Sequence, residues 1–158
     1  MAKEIERKFL VVSDAWRQAG DGGTPLRQAY VAAMEDRSVR VRIAGRETAR
    51  LTIKVGKTAL VRDEYEYELP VADAEELLTQ AIGIVIEKTR YRIPYGGFVW
   101  EVDEYAGSLR GLIVAEVELA SESDEPALPV WLGREVTGDP RYSNQSLATG
   151  ARDIRALA

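Results

Sequence analysis

Short segments in which charged and apolar side chains alternate recur along the 158 residues of this chain. Alternation with a period of two is typical of β-strands, because successive side chains of a strand point to opposite faces of its sheet. Turn-forming residues bound these segments, and their spacing predicts a mainly β fold in which an antiparallel sheet curls or closes. The predicted strands are Glu4–Val12, Leu26–Val31, Ser38–Ile43, Ala49–Val55, Ala59–Leu69, Val85–Ile93, Phe98–Tyr105 and Leu112–Leu119.

Helical patterns are fewer. The segment 71–83 has one apolar face and predicts a helix with Asp73 as its N-cap and Gly83 as its C-cap. Glu76 follows Asp73 by three residues, which is the spacing of a capping-box motif. A short helix is expected after Ser13. A last helix is expected to begin near Ser143 or Asn144 and to carry Leu147, Ile154 and Leu157.

The charged residues of one strand share a face and often a sign. Glu4 and Glu6 lie on the same face of the first strand, and Glu116 and Glu118 on the same face of the last. Two carboxylates about 5 Å apart repel each other by roughly 3 kcal/mol at an effective dielectric constant near 20. For a single strand, a solvated outer face is the simpler interpretation, but seven strands repeat the pattern.

We therefore expect the charged faces to point into a barrel and the apolar faces to point outward. Helices and the irregular segment 121–142 would then cover the apolar faces. The predicted lumen holds acids and bases in equal number: Glu4, Glu6, Glu64, Glu66, Asp103, Glu116 and Glu118, with Lys8, Arg40, Arg42, Lys54, Arg62, Lys88 and Arg90. Such walls suit a polyanion bound together with divalent cations.

The chain contains neither Cys nor His, which excludes disulfides, thiol nucleophiles, zinc fingers and histidine triads. Any metal site must use oxygen ligands, which favours Mg²⁺, Mn²⁺ or Ca²⁺. The net charge of −5 argues against a nucleic-acid partner. No apolar run approaches the roughly 18 residues that span a bilayer, so no membrane partner is expected. The charged N-terminus lacks the features of a signal peptide, so we expect a cytoplasmic location.

The segment "EIERKFLV" at positions 4–11 contains the motif E-x-E-x-K, and with it the chain resembles the CYTH superfamily of triphosphate tunnel metalloenzymes. The segments "SVRVRI", "LTIK", "RDEYEYEL", "EKTRY", "WEVDEYAG" and "LIVAEVEL" follow in the order typical of that family. The resemblance covers Glu4 to about Ala148 and extends to the short bacterial inorganic triphosphatases. It implies a single domain over residues 1–158 with an α+β, mainly β fold. That fold is an eight-stranded antiparallel barrel with helices packed outside and a C-terminal helix.

The resemblance also implies three groups of site residues and a cofactor, Mg²⁺ or Mn²⁺. The expected metal ligands are Glu4, Glu6, Glu116 and Glu118. The expected phosphate-binding residues are Lys8, Arg40, Arg42, Lys54, Arg62, Lys88 and Arg90. The residues expected to hold a second metal or position water are Glu64, Glu66 and Asp103, for which a structural role in the charge network is an equal alternative.

The function expected is metal-dependent hydrolysis of a small-molecule triphosphate, first of all inorganic tripolyphosphate, to pyrophosphate and phosphate. A class IV-type adenylate cyclase or a nucleoside or thiamine triphosphatase on the same site is the alternative. The cyclase branch often carries a His-Phe pair upstream of E-x-E-x-K, and this chain has no His. A non-catalytic polyphosphate-binding module is a third alternative, against which the repeated E-x-E pairs argue. The oligomeric state stays open, with a homodimer as one alternative.

Overall fold

The computed structural model describes residues 2–56 and 61–150 of the chain. The strands in this part are β1 (Ala2–Val11), β2 (Thr24–Ala33), β3 (Arg37–Ala44), β4 (Thr48–Gly56), β5 (Val61–Glu68), β6 (Ile82–Tyr95), β7 (Phe98–Tyr105), β8 (Ile113–Glu118) and β9 (Leu132–Glu135). The α-helices are α1 (Val71–Leu78) and α2 (Asn144–Thr149). No helix of the described residues is long and apolar enough to cross a bilayer.

Eight strands form a closed antiparallel barrel, as predicted. Their order round the ring is β5-β4-β3-β2-β6-β7-β8-β1, and β1 closes the ring by pairing with both β8 and β5. The predicted start of β5 at Ala59 lies outside the described residues. A ninth strand, β9, pairs with the end of β1 at Phe9 and Val11. It lies within the segment 121–142 that was expected to be irregular.

The apolar faces of the strands point outward and pack under helices and connections, as a barrel with an inward-facing charged surface requires. Ala74 and Leu78 of α1 pack against Val41 and Ile43 on the outside of β3. Because the core lies outside the ring, the charged alternate positions of the same strands are left to face the interior.

The three tryptophans belong to this outer core. Trp16 lies in a 3₁₀ turn, Ala15–Gln18, where a short helix was expected, and its ring packs 5.0 Å from that of Tyr91. Trp100 packs edge-on against Trp131, with 6.1 Å between ring centroids. All three indoles are nearly inaccessible to solvent, so they hold the outer layer together.

The ends predicted for α1 were wrong. The helix begins at Val71 with Pro70 as the N-cap residue, so that Asp73 lies inside the first turn. It ends at Leu78, where the Thr79 hydroxyl donates to the Glu76 carbonyl at 2.6 Å and closes the last turn. Pro70 has φ −58°, a value already suited to a helix start, and this moves the first turn ahead of the capping-box motif.

Gly83 is not a helix cap but the second residue of β6. It has φ +75°, and a Cβ built there would lie 2.0 Å from the carbonyl oxygen of Ala148. The glycine is therefore needed where α2 crosses β6. The start of α2 was predicted correctly, with the Ser143 hydroxyl accepting from the Ser146 amide at 3.1 Å. The predicted continuation to Ile154 and Leu157 lies outside the described residues.

We expect Gly83→Ala to lower the free energy of unfolding by about 3 kcal/mol, because left-handed strain costs roughly 1–2 kcal/mol and overpacking roughly 1–3. Gly45→Ala is the matched control, since Gly45 has φ +58° and a Cβ added to it would meet no atom within 4 Å. Its free energy of unfolding should fall only by the cost of the left-handed strain, roughly 1–2 kcal/mol. Urea unfolding of both variants measures the difference, and equal losses would mean that the contact with α2 contributes nothing.

Candidate active site

The interior of the barrel holds a cavity of about 780 Å³, which we call the lumen. Twelve of the fourteen predicted site residues line it: Glu4, Glu6, Lys8, Arg40, Arg42, Lys54, Arg62, Glu64, Glu66, Arg90, Glu116 and Glu118. The other two, Lys88 and Asp103, do not line it and are each 2% exposed.

Sequence reasoning missed several lining residues. Arg50 lies four residues before Lys54 on β4, and Glu101 lies two residues before Asp103 on β7, so the alternation could have identified both. The lumen is also lined by much of the segment 137–146, which includes the start of α2. That segment has no strand periodicity, and no signal in the sequence places it at the lumen.

One wall of the lumen carries the carboxylates of β1 and β8. Glu6 pairs in register with Glu118, and Lys8 with Glu116. Burial first, and then the neighbouring Glu116 carboxylate, raise the pKa of Glu6 well above its ordinary value. Burial also opposes ionisation of Glu116, but the Lys8 charge and a hydrogen bond from Glu6 lower the pKa of Glu116 below its usual range. Ionisation is therefore less favourable at Glu6 than at the neighbouring Glu116.

The acids of this wall exceed the cations that neutralise them. Lys54 serves two carboxylates at once, with its Nζ 3.1 Å from Glu4 and 3.6 Å from Glu64. Lys8 lies 3.8 Å from Glu116. The pKa of Glu118 is raised by burial and then by the charge of Glu4, which indicates that added negative charge is disfavoured here.

The opposite wall carries arginines. β3 lies four strands from β8 in either direction round the ring. Its Arg40 and Arg42 form no ion pair with a carboxylate anywhere in residues 2–56 and 61–150. Burial, followed by the charges of Arg40 and Arg90, lowers the pKa of Arg42 to about 9. This wall is therefore a concentration of positive charge without counterions.

Asp103 is enclosed between two cations. Its carboxylate lies 2.7 Å from Lys88 Nζ and accepts two hydrogen bonds from Arg90, at 2.8 and 2.9 Å. Burial alone would raise the pKa of Asp103, but Lys88 and Arg90 lower it to about 2. Burial lowers the pKa of Lys88 to about 7 in spite of Asp103, since that single carboxylate is shared with Arg90. Asp103 thus fixes Arg90 at the wall of the lumen.

We expect Asp103→Asn to destabilise the protein by about 3–5 kcal/mol at neutral pH, because it leaves buried cations without their counterion. Since the pKa of Asp103 is depressed to about 2, its stabilisation is present above the ordinary carboxyl range and is lost as pH falls toward 2. The variant should lack this acid-dependent loss. Denaturant unfolding between pH 7 and pH 2 measures both effects.

The double variant Lys88→Met with Asp103→Asn is the control for charge. It should recover part of the lost stability, because one of the two uncompensated cations is then absent. A single Asp103→Asn variant within about 0.5 kcal/mol of the parent, the range of surface changes, would contradict the buried ion-pair network.

The carboxylates of the acidic wall fit a divalent cation by their chemistry. Hard cations such as Mg²⁺ and Mn²⁺ take oxygen ligands, and the pKa values of Glu6 and Glu118 are raised by burial first and then by neighbouring carboxylates, so a bound cation would favour their ionised forms. In the described part of the chain, no three acidic side chains are already gathered as a metal cluster. Two of the carboxylates are instead held by Lys8 and Lys54.

These features define a closed-barrel protein with an ionic lumen divided into an acidic and a basic wall. The chain belongs to the CYTH family, whose domain model matches residues 2–151.

Relatives and a solved structure are similar over nearly the full chain. An inorganic triphosphatase of Acetivibrio thermocellus is 47% identical over 148 residues, covering 93% of this chain and 94% of the relative. An inorganic triphosphatase of Nitrosomonas europaea is 39% identical over 152 residues, covering 92% of this chain and 96% of the relative. A crystal structure of an inorganic triphosphatase superposes with a TM-score of 0.65 at 37% identity, covering 94% of this chain and 96% of that one.

Proposed function

We propose that this protein is an inorganic triphosphatase that hydrolyses tripolyphosphate to pyrophosphate and phosphate with the help of Mg²⁺ or Mn²⁺. The observation that carries the proposal is the division of one lumen into a carboxylate wall with excess negative charge and an arginine wall without counterions. A chain of phosphates with a bound cation supplies the missing charge of both signs. The two curated relatives named inorganic triphosphatase support the same reaction.

The position of the tryptophans favours an inorganic substrate over a nucleotide. Trp16, Trp100 and Trp131 are the side chains best suited to stack on a base, and all three are buried in the outer core. None of them lines the lumen, where Tyr30, which is only 5% exposed, is the aromatic side chain among the lining residues. A substrate that consists only of phosphates needs charge and hydrogen-bond donors, which the walls offer, and no aromatic surface.

Each wall has a distinct task in this reaction. Guanidinium groups bind phosphate oxygens in pairs, so the arginines hold and orient the phosphate chain. The proposed phosphate-binding residues are Lys8, Arg40, Arg42, Lys54, Arg62 and Arg90, with Lys88 acting from behind the wall. The proposed cation ligands are Glu4, Glu6, Glu116 and Glu118. When bound, the cation neutralises phosphate charge and lowers the pKa of water.

Hydrolysis then requires water to attack a terminal phosphorus in line with the departing pyrophosphate. Phosphoryl transfer depends mainly on positioning and on electrostatic stabilisation, and both are built into the walls. Glu64 and Glu66 line the lumen on β5 and are proposed to position the water and receive its proton. Asp103 contributes by keeping Arg90 in place.

The proposal predicts that the protein releases pyrophosphate and phosphate in equal amounts from tripolyphosphate, only with Mg²⁺ or Mn²⁺ present. Phosphorus NMR of reactions with tripolyphosphate, ATP and thiamine triphosphate measures substrate and product together. Cyclic AMP from ATP would instead identify a cyclase. Tight binding of tripolyphosphate without turnover would identify a binding module.

We expect Glu6→Gln to lower turnover at least about a hundredfold, the scale of one electrostatic contact in a water-excluded site. The metal-free variant should be as stable as the parent or more stable. The pKa of Glu6 is raised by burial and by Glu116, so its ionisation costs stability as pH rises above the ordinary carboxyl range. The advantage of the variant should therefore grow with pH.

Phosphate release in Mg²⁺ and urea unfolding in chelator measure the two effects, and Glu122→Gln is the control on an exposed position. Full activity of Glu6→Gln would rule out a role for Glu6 in cation binding. Loss of activity together with loss of fold would instead make Glu6 a structural residue.

A further inference from the structure

A fully buried amide lies beside the arginine wall. Gln28 of β2 is paired in register with Arg42 of β3 and is 0% exposed. Its Oε1 accepts a hydrogen bond from Arg42 Nε at 2.9 Å. Its Nε2 has no hydrogen-bond partner in the described part of the chain.

This neutral partner differs from the carboxylates that form ion pairs with most cations in or behind the lumen wall, although Lys8 also donates to the Tyr142 carbonyl at 3.2 Å. The ion pairs are Lys8–Glu116, Arg50–Glu66, Lys54–Glu4, Lys88–Asp103 and Arg90–Asp103. A glutamate has nearly the size and shape of glutamine, so one at position 28 could complete the same kind of pair with Arg42. The chain instead holds Arg42 by an uncharged acceptor.

We propose that Gln28 is a positioning residue that orients Arg42 without neutralising it, so that the guanidinium charge stays available to a phosphate group of the substrate. The inference rests on the proposed function for the identity of the anion. A single hydrogen bond at Nε fixes one edge of the guanidinium. The two Nη groups form no hydrogen bond within residues 2–56 and 61–150, and these groups can donate as a pair to phosphate oxygens.

The electrostatic surroundings of Arg42 agree with this role. Burial and the charges of Arg40 and Arg90 lower its pKa to about 9, which is the mark of a cation held without a counterion. A buried charge of this kind disfavours the empty protein and favours the anion-bound one. A carboxylate at position 28 would neutralise Arg42 in the empty protein, so that anion binding would no longer relieve an uncompensated charge. It would also compete with the substrate for Arg42.

The test compares Gln28→Glu and Gln28→Met with the parent protein and with Gln80→Glu, which makes the same charge change on an exposed residue after α1. Steady-state hydrolysis of tripolyphosphate in Mg²⁺ gives kcat and KM. Calorimetric titration with tripolyphosphate gives affinity without requiring turnover. Urea unfolding reports the fold of every variant.

We expect Gln28→Glu to raise KM and weaken tripolyphosphate binding at least about tenfold, the scale of one lost charge-assisted contact, with kcat within about threefold. Its unfolding midpoint should equal or exceed that of the parent, because Arg42 gains a counterion. Gln28→Met keeps the size but not the acceptor, so its KM should rise by a smaller factor at unchanged stability. Gln80→Glu should match the parent in all three measurements.

A Gln28→Glu variant with KM and affinity within about twofold of the parent would overturn the inference, as would an activity loss that only follows a lower unfolding midpoint. If Gln28→Glu does not fold, Gln28→Met decides by the same criteria. If the parent binds tripolyphosphate without hydrolysing it, the proposed function fails, while a tenfold weaker affinity in Gln28→Glu still supports the role of Gln28. If the parent does not bind tripolyphosphate, both fail.

Discussion

Confinement of like charges inside a closed ring of strands is the constraint on which the rest of the structure depends. Pairing of β1 with both β5 and β8 closes the ring and brings Glu6, Glu116 and Glu118 together, where burial and the neighbouring carboxylates raise the pKa of Glu6. Such an interior cannot supply the stability of the fold, because buried charges cost more solvation than most of their pairs return. That stability comes from the outer layer, where α1, α2 and the tryptophan cluster cover the apolar faces.

The inward direction of the charged faces could be predicted because it depends only on a period of two. Twelve of the fourteen expected site residues line the lumen for this reason, and Arg50 and Glu101 could have been added by the same rule. The position of each inward-facing side chain relative to the lumen surface could not be predicted. Lys88 and Asp103 share the inward face but lie away from the lumen surface, since their depth is set by the register between strands. Alternation within one strand carries no information about that register.

Where a residue is required by a contact with a distant part of the chain, prediction from its neighbours in sequence was wrong. Gly83 looked like a helix cap because it follows a helical pattern, whereas its lack of a side chain accommodates the carbonyl of Ala148 more than sixty residues later. β9 and the position of the segment 137–146 at the lumen escaped prediction for a related reason. Their position comes from long-range contacts such as the Val136 amide donating to the Lys8 carbonyl at 2.8 Å, and such contacts leave no periodic pattern.

Two ways of holding an arginine give the lumen its polarity. Arg90 is fixed by the carboxylate of Asp103, which orients the guanidinium and offsets part of its charge. Arg42 is fixed by the amide of Gln28, which orients it and leaves the charge in place. The positive potential is therefore concentrated on β3, directly across the ring from the carboxylates of β8. An anion with an attached cation would find one favourable orientation between these walls, and a fixed orientation is what in-line attack on a terminal phosphorus requires.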